Sequence, residues 1–282
     1  MTSLQSHSIL VIDSGVGGLS VCQAILELKC PLQLIYFADN ANFPYGLLAA
    51  DKLSKRLHEI MTLMLALHKP DLVVLACNTV STLMLPELRA AFDVPFVGVV
   101  PAIKPAALHS KTKRIGLLAT PATIKRDYID QLISDYAQDC EVIRKGDCDL
   151  VIEAENLLLG KDVSNEVLTK ALDVFKPDNE SERIDTIVLG CTHFPLLRSH
   201  LDKILPGIEW VDSGRAIAQR VQNLLMISEQ ACSEIESIET PEDKTHQVYF
   251  SGIKPDSEVF VHSLKAMGMY PHELHGFSAK IE

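Results

Sequence analysis

The amino-acid sequence predicts an α/β fold made of two pseudo-symmetric α/β domains with largely parallel sheets. Three observations carry this prediction: short apolar runs alternate with amphipathic segments, the runs contain few polar residues, and one strand-and-cysteine segment occurs twice. Continuous apolar runs are typical of strands that are covered on both faces, as in parallel sheets. Their alternation with helices is the pattern of α/β proteins.

Each apolar run is predicted as a strand, and the segments between the runs as helices. Helical periodicity is clearest in DKLSKRLHEIMTLMLALHK and TIKRDYIDQLISDYAQ. The predicted strands, in chain order, are SILVID (8–13), LQLIYFAD (32–39), DLVVLAC (71–77), PFVGVV (95–100), RIGLLAT (114–120), TIVLGC (186–191), IEWVDS (208–213) and QVYFSG (247–252).

A domain boundary is predicted near PAIKPAALHSKTK, at residues 101–113, where two prolines and a polar, basic patch separate two strand-and-helix series. The predicted strand at 208–213 ends in VDSG, and we expect the chain to return there to the first domain. The first domain is therefore predicted to comprise residues 1–100 and 214–282, and the second residues 101–213.

Composition excludes several classes of protein. The chain has 282 residues, of which 47% are hydrophobic and 22% charged, so it can bury a large core. Its 26 Lys and Arg against 37 Asp and Glu give a net charge of -11, which argues against a nucleic-acid partner. The N-terminal segment has neither a basic region nor a long apolar stretch before the first strand, so neither a signal peptide nor a membrane anchor is predicted. A cytoplasmic protein is expected.

The cysteines argue against a disulfide framework and against a standard zinc site, because their number is odd and no CxxC pair occurs. All are predicted to be free thiols. They are Cys22, Cys30, Cys77, Cys140, Cys148, Cys191 and Cys232.

Polar residues end several of the predicted strands. In open α/β sheets the ligand site lies beyond the carboxyl ends of the strands, so these residues are candidates for it. They are Asp13-Ser14, Asp39-Asn40, Cys77-Asn78-Thr79, Thr120 and Cys191-Thr192-His193.

Two of these strand ends repeat one plan, VVLACNTVSTL around Cys77 and IVLGCTHFPLL around Cys191. A single cysteine in such a place is usually a packing residue, but two at equivalent places favour a chemical role. Each is followed by a predicted helix N-terminus, where exposed N–H groups bind anions and favour a thiolate.

Such a thiol pair suits either of two uses, a redox couple or two acid/base groups on opposite faces of one carbon. The second use is what inversion at a carbon requires. Two alternatives remain open at this point. Zinc bound by Cys77, Cys191, His193 and Asp13 is chemically allowed. A nucleotide site is the other, because GVGG at 15–18 follows a strand and Asp39 ends the next one, where a ribose-binding acid would lie.

Four segments resemble the signature segments of glutamate racemases, within the cofactor-independent aspartate/glutamate racemase superfamily. They are IDSGVGGLSV (12–21), NFPYG (42–46), ACNTVST (76–82) and GCTHFPLL (190–197). The resemblance implies two α/β domains with the active site in the cleft between them, glutamate as substrate, no cofactor and no metal. It also implies that D-glutamate is supplied for peptidoglycan. Many members are dimers, so a homodimer is one expectation.

The resemblance also implies roles for single residues. Cys77 and Cys191 match the pair of catalytic bases, and Asp13 and His193 match the groups that assist them. A further second-domain carboxylate is matched by Glu155, with Glu153 as the alternative, although the proline that usually precedes it is missing. The residues matching the substrate-binding segments are Asp13, Ser14, Tyr45, Gly46, Asn78, Thr79, Thr192 and His193.

Two rival functions stay open beside glutamate racemisation. The first is aspartate racemisation by an enzyme of the same superfamily, since both substrates have the same reacting carbon. The second is a carboxylate- or nucleotide-binding protein whose thiols have no catalytic role.

Overall fold

The computed structural model describes residues 7–177, 179, 182–227 and 246–274. The α/β prediction is confirmed, since helices alternate with strands and every pairing among the described strands is parallel. The chain divides into two compact units, Met1–Val99 with Gly214–Glu282, and Val100–Ser213. Strands and helices are numbered below along the whole chain.

The first unit contains one sheet and the helices that flank it. Its strands are β1 (His7–Asp13), β2 (Leu32–Ala38), β3 (Leu72–Leu75), β4 (Phe96–Gly98), β9 (His246–Phe250) and β10 (Met269–Pro271). Its helices are α1 (Leu19–Leu26), α2 (Ala50–His68), α3 (Asn78–Ala91), α10 (Gly214–Leu224) and α11 (Glu258–Ala266).

The sheet of the first unit has the order β10-β9-β2-β1-β3-β4. β1 is paired on both sides, with β2 from His7 to Asp13 and with β3 from Ile9 to Ile12. A strand in this position is covered on both faces, which explains why ILVI is an unbroken apolar run. Each such Leu or Ile contributes about 1.5–3 kcal/mol on burial. The carboxyl ends of β1 and β3 therefore lie side by side.

The second unit has a smaller sheet of order β6-β5-β7-β8. Its strands are β5 (Arg114–Ala119), β6 (Glu141–Gly146), β7 (Thr186–Leu189) and β8 (Glu209–Val211). Its helices are α4 (Ile103–His109), α5 (Pro121–Ile124), α6 (Asp127–Tyr136), α7 (Asp149–Leu158), α8 (Asn165–Leu172) and α9 (Arg198–Ile204).

The entry to β7 is fixed by Asp185. Its carboxylate accepts hydrogen bonds from the Ser110 hydroxyl at 2.6 Å and from the N–H groups of Lys111 and Thr112 at 2.7 and 3.0 Å. Burial raises the pKa of Asp185, but these hydrogen bonds and one from Thr186 outweigh it and bring the pKa to about 2. The loop before β5 is thereby tied to the start of β7, the strand that leads to Cys191.

Three expectations from the sequence differ from the structure. β6 and β10 were not expected as strands, because neither segment carries a long apolar run. Seven of the eight expected strands end one or two residues earlier than predicted, so that Cys77 lies two residues beyond β3 and Cys191 two residues beyond β7. The prediction of free thiols is wrong for Cys30, which is disulfide-bonded, because an odd cysteine count excludes a complete framework but not a single bond. Cys232 lies outside the described residues.

Candidate active site

The turn after β1 buries a carboxylate. Asp13 and Ser14 are both buried, and the Ser14 N–H donates to Asp13 Oδ1 at 2.7 Å. The Tyr36 hydroxyl donates to the Gly15 carbonyl at 2.5 Å and so anchors the turn to β2. At Gly18 a Cβ would lie 2.8 Å from the Tyr36 ring and 2.9 Å from Asp13 Cβ, so this position accepts only glycine without a shift of its neighbours.

Cys77 is the N-cap residue of α3. Its backbone is extended, with φ -95° and ψ 125°, and its carbonyl accepts from the Ser81 N–H at 2.9 Å. The side chain is half-buried, and the two residues after it, Asn78 and Thr79, are buried in the first helical turn. The first N–H groups of a helix carry a partial positive charge, so this position favours negative charge on the sulfur.

Tyr45 lies in a short 3₁₀ turn, Tyr45–Leu47, that contacts α3. Its side chain is buried while the next residue, Gly46, is exposed. The Tyr45 hydroxyl donates to Asp39 Oδ2 at 2.9 Å. Burial raises the pKa of Tyr45 well above its usual range, with the Asp39 charge and hydrogen bond adding to it, whereas Arg56 opposes the rise.

Asp39 forms an ion pair in the core of the first unit. Arg56 of α2 donates from Nη2 to Asp39 Oδ1 at 2.7 Å and from Nε to Oδ2 at 3.0 Å. Both side chains have zero exposure. An acid that is buried and bound in this way cannot receive a ribose, so the role considered for Asp39 in a nucleotide site is wrong.

In the second unit the chain turns sharply after β7. The Gly190 N–H donates to the Leu118 carbonyl at 2.7 Å, which continues the pairing with β5 by one residue. A Cβ at Gly190 would lie 3.0 Å from Ala119 Cβ, so glycine lets the chain pass close to the neighbouring strand. The Phe194 N–H then donates to the Cys191 carbonyl at 3.1 Å and begins the 3₁₀ turn Phe194–Leu197, which leads into α9.

The side chains of Cys191, His193 and Glu155 form a line within the second unit. Cys191 Sγ lies 3.9 Å from His193 Nδ1, and His193 Nε2 lies 2.8 Å from Glu155 Oε1. His193 is buried, whereas the Glu155 side chain keeps 21% of its exposure. Thr192, which lies between Cys191 and His193 in the sequence, is buried as well. Each ring nitrogen of the histidine therefore faces a different ionisable group.

The two candidate carboxylates of α7 have different partners. Glu153 Oε2 accepts from the Ser164 N–H at 2.8 Å, at the start of α8, while Glu155 reaches His193. Residues two apart on an α-helix point about 200° from each other, so the two glutamates face opposite ways. Of the two, the structure brings only Glu155 to the Cys191–His193 pair.

Two features near these residues were missed in the sequence. Arg56 was overlooked because it lies in a helix rich in charged residues, where it looks like one more solvated side chain. Cys148, just before α7, carries no motif at all. Burial raises the pKa of the Cys148 thiol, and the charges of Asp147, Asp149 and Cys191 raise it further.

The described part of the chain has neither a metal-binding cluster nor a membrane-spanning helix. No group of three or more His, Cys, Asp or Glu side chains is arranged to hold a metal ion there. In the same residues, no helix combines the length and the apolar character needed to span a bilayer.

These motifs lie in a region that matches a known protein family. The family described as Asp/Glu/Hydantoin racemase matches residues 9–221, a range that contains every candidate site residue. The chain belongs to this racemase family. It is therefore an isomerase.

Individual racemases are similar over most of their length. The protein named glutamate racemase of Vibrio cholerae is 43% identical over 273 residues, which cover 96% of this chain and 97% of that one. The one of Shewanella woodyi is 46% identical over 221 residues, 78% of this chain and 82% of that one. The crystal structure of Escherichia coli glutamate racemase in complex with L-glutamate and the activator UDP-MurNAc-ala matches with a TM-score of 0.83 at 39% identity. That match covers 95% of this chain and 98% of the other.

Proposed function

We propose that this racemase interconverts L-glutamate and D-glutamate by proton transfer at the α-carbon, with Cys77 and Cys191 as the two bases and no cofactor. The substrate is supported by the high identity to full-length proteins named glutamate racemase. The single observation that carries the mechanism is the Cys191–His193–Glu155 line, because it gives one thiol a partner for its proton.

The histidine tautomer decides what His193 does in this proposal. A carboxylate only accepts hydrogen bonds, so Glu155 holds the imidazole proton on Nε2. The other nitrogen, Nδ1, then presents its lone pair to Cys191. In this state His193 takes the proton of the thiol and leaves a thiolate, and the charge on Glu155 stabilises the imidazolium that results.

Cys77 has different supports in the first unit. The helix N-terminus favours negative charge on its sulfur, and Asp13 ends the adjacent strand. In the proposed mechanism Asp13 assists Cys77 as His193 assists Cys191. Inversion requires that the proton leaves one face of the α-carbon and that another proton arrives at the opposite face. One cysteine is therefore a thiolate when the other is a thiol, and the two enantiomers bind to complementary states.

The chemical difficulty is the weak acidity of the α-proton, which must be removed without an electron sink. Fixed hydrogen-bond donors and charges lower such barriers because they need no reorganisation during the reaction. We assign this role, and the binding of the substrate's carboxylate and amino groups, to the turn residues beyond the strands: Asp13, Ser14, Tyr45, Gly46, Asn78, Thr79, Thr192 and His193.

The cellular role follows from the product. We propose that the enzyme works in the cytoplasm and supplies D-glutamate for peptidoglycan synthesis. A homodimer stays a prediction from the family resemblance, and analytical ultracentrifugation of the purified protein tests it.

The proposal is tested by circular dichroism with each enantiomer of glutamate and of aspartate, in buffer free of pyridoxal phosphate. Inversion of glutamate in both directions is expected; inversion of aspartate alone, or of neither, would overturn the assignment. Cys77→Ser and Cys191→Ser should each lower turnover at least about 100-fold, because positioned general acids and bases contribute about 10²–10⁴ in rate. Cys140→Ser, a part-buried thiol outside these motifs, is the matched control and should keep turnover.

A further inference from the structure

A buried cluster of three polar side chains lies beside Cys77, and two of the three, Asp39 and Arg56, have no part in the mechanism above. Asp39, Tyr45 and Arg56 have exposures of 0%, 1% and 0%. Tyr45 belongs to a large apolar cluster with Leu53, Leu57 and Phe37, and Cys77 packs against the same cluster. Removing two charges from water costs several kcal/mol per ion, and a buried pair often adds nothing to stability compared with apolar residues of similar size. Stability alone therefore does not account for this pair.

The hydrogen bonds of Asp39 show which part of the chain the Asp39–Arg56 pair holds in place. The carboxylate accepts two hydrogen bonds from Arg56, one from the Asn42 amide at 3.0 Å and one from the Tyr45 hydroxyl at 2.9 Å. A carboxylate offers about four acceptor positions, so Asp39 is saturated. Its partners Asn42 and Tyr45 lie in successive 3₁₀ turns, Asn40–Asn42 and Tyr45–Leu47. One carboxylate thus fixes both turns of the loop between β2 and α2.

The same residue joins this loop to the other strand ends. The Asp39 N–H donates to the Asp13 carbonyl at 2.9 Å, so the loop is tied to the end of β1. The Tyr45–Leu47 turn contacts α3, which begins directly after Cys77. Cys77 packs against the apolar cluster to which Tyr45 belongs, and charge on Cys77 adds to the raised pKa of Tyr45.

We infer that Asp39 and Arg56 are positioning residues, whose ion pair holds the Tyr45–Gly46 segment, through the Tyr45 hydroxyl, in the place from which it binds glutamate beside Cys77. The inference rests on the proposed function and adds two residues to it. Because the Tyr45 hydroxyl is bound to Asp39, it is not the group that binds the substrate. The Tyr45–Gly46 segment binds the substrate through Gly46 and its peptide groups. Arg56 is suited to this task because its planar fork makes two parallel hydrogen bonds, which a lysine cannot make.

The first test is Tyr45→Phe, which removes the hydroxyl and leaves the ion pair in place. We expect KM for both enantiomers to rise about ten-fold or more, because a hydrogen bond to a charged group contributes about 1.5–3 kcal/mol, while kcat falls less. Tyr249→Phe is the matched control. Tyr249 belongs to the same apolar cluster, and its hydroxyl donates to Gln247 at 3.0 Å, away from Asp39. Its KM should stay within about two-fold of the wild-type value, within the usual effect of a remote substitution.

The second test separates positioning from stability. Arg56→Met leaves an unpaired buried carboxylate and should lower the melting temperature by several degrees. The double variant Asp39→Leu/Arg56→Met removes both charges and should recover most of that loss, but it should keep the raised KM. Alkylation of Cys77 by iodoacetamide without substrate should proceed at the wild-type rate in all these variants, whereas protection by glutamate should require higher concentrations.

Each outcome decides for or against the inference. A normal KM in Tyr45→Phe, or in the double variant, would overturn it, as would an equal rise of KM in Tyr249→Phe. Failure of the wild-type enzyme to racemise glutamate would overturn the proposed function itself, which is a separate result. A raised KM together with a recovered melting temperature in the double variant supports the inference.

Discussion

Replacing Glu155 by Gln tests the link between α7 and the thiol of Cys191. The substitution keeps the size of the side chain and an oxygen that can face His193, but it removes the negative charge. Glu155 Oε1 lies 2.8 Å from His193 Nε2, a normal length for a hydrogen bond to a charged group. An imidazolium forms when His193 takes the Cys191 proton. In Glu155→Gln no neighbouring negative charge stabilises it, so kcat/KM should fall.

The magnitude follows from the geometry of the pair. Charge-assisted hydrogen bonds contribute about 1.5–3 kcal/mol. Glu155 retains 21% side-chain exposure, so water screens part of its charge and the lower half of that range applies. A loss of about 1.5–2 kcal/mol corresponds to a fall of about 10–30-fold in kcat/KM. Glu153→Gln is the control, since that carboxylate binds the Ser164 N–H and should affect stability more than turnover.

Circular dichroism in both directions measures the effect and contains an internal check. The two enantiomers have equal free energies, so the equilibrium constant is one and kcat/KM must fall by the same factor from either side. Unequal factors would indicate a fault in the assay. If Glu155→Gln kept kcat/KM within two-fold of the wild-type value, or if Glu153→Gln lost as much as Glu155→Gln, the proton relay through His193 would be refuted.

Three further substitutions test the framework around the site. Gly190→Ala should destabilise the fold by about 1–3 kcal/mol and lower turnover, because its Cβ would lie 3.0 Å from Ala119 Cβ and displace the Cys191 turn; an unchanged melting temperature would contradict this. Ser81→Ala should cost about 1–3 kcal/mol in urea unfolding, because the Val99 N–H loses a buried partner at 2.8 Å, and a loss below about 0.5 kcal/mol would show that another group replaces it. Asp185→Asn should cost about 1 kcal/mol at pH 7, after allowance for solvent screening. The folded pKa of Asp185, about 2, lies below the ordinary 3.8, so this stabilisation is present above pH 4 and is lost as the pH falls toward 2. The free energies of unfolding of the wild type and of Asp185→Asn should therefore become equal as the pH falls from 7 to 2. A difference that stayed constant with pH would contradict an ionic origin of the stabilisation.

The strands could be predicted where both of their faces are buried. β1, β2, β3 and β7 are covered on both faces, and their apolar runs identify them without ambiguity. β10 has only three residues, too few for a pattern to emerge. The exact ends of strands were also beyond prediction, because Ala76 and Gly190 continue the run of small and apolar residues up to the cysteines, whereas the strands end at Leu75 and Leu189.

The site residues could be predicted where a sequence segment of the same plan occurs twice. Cys77 and Cys191 were found through two segments of equal plan, and their roles remain a prediction that the variants above test. The choice between Glu153 and Glu155 depends on which face of α7 meets the Phe194–Leu197 turn, and that is a property of packing rather than of local sequence. The Arg56–Asp39 pair joins residues 17 positions apart, and no periodicity marks it.

The charged side chains along β6 have a consequence for edge-to-edge pairing of strands between chains. Among the described strands it is the outermost of the second sheet, so no described strand pairs with one row of its backbone N–H and C=O groups. Along it, Glu141 pairs with Arg114, and Arg144 pairs with Asp130 at 2.6 Å. A second chain that added a strand here would have to disturb these charged side chains and their hydration. The charges that hide β6 from a search for apolar runs thus also make it a poor template for edge-to-edge aggregation.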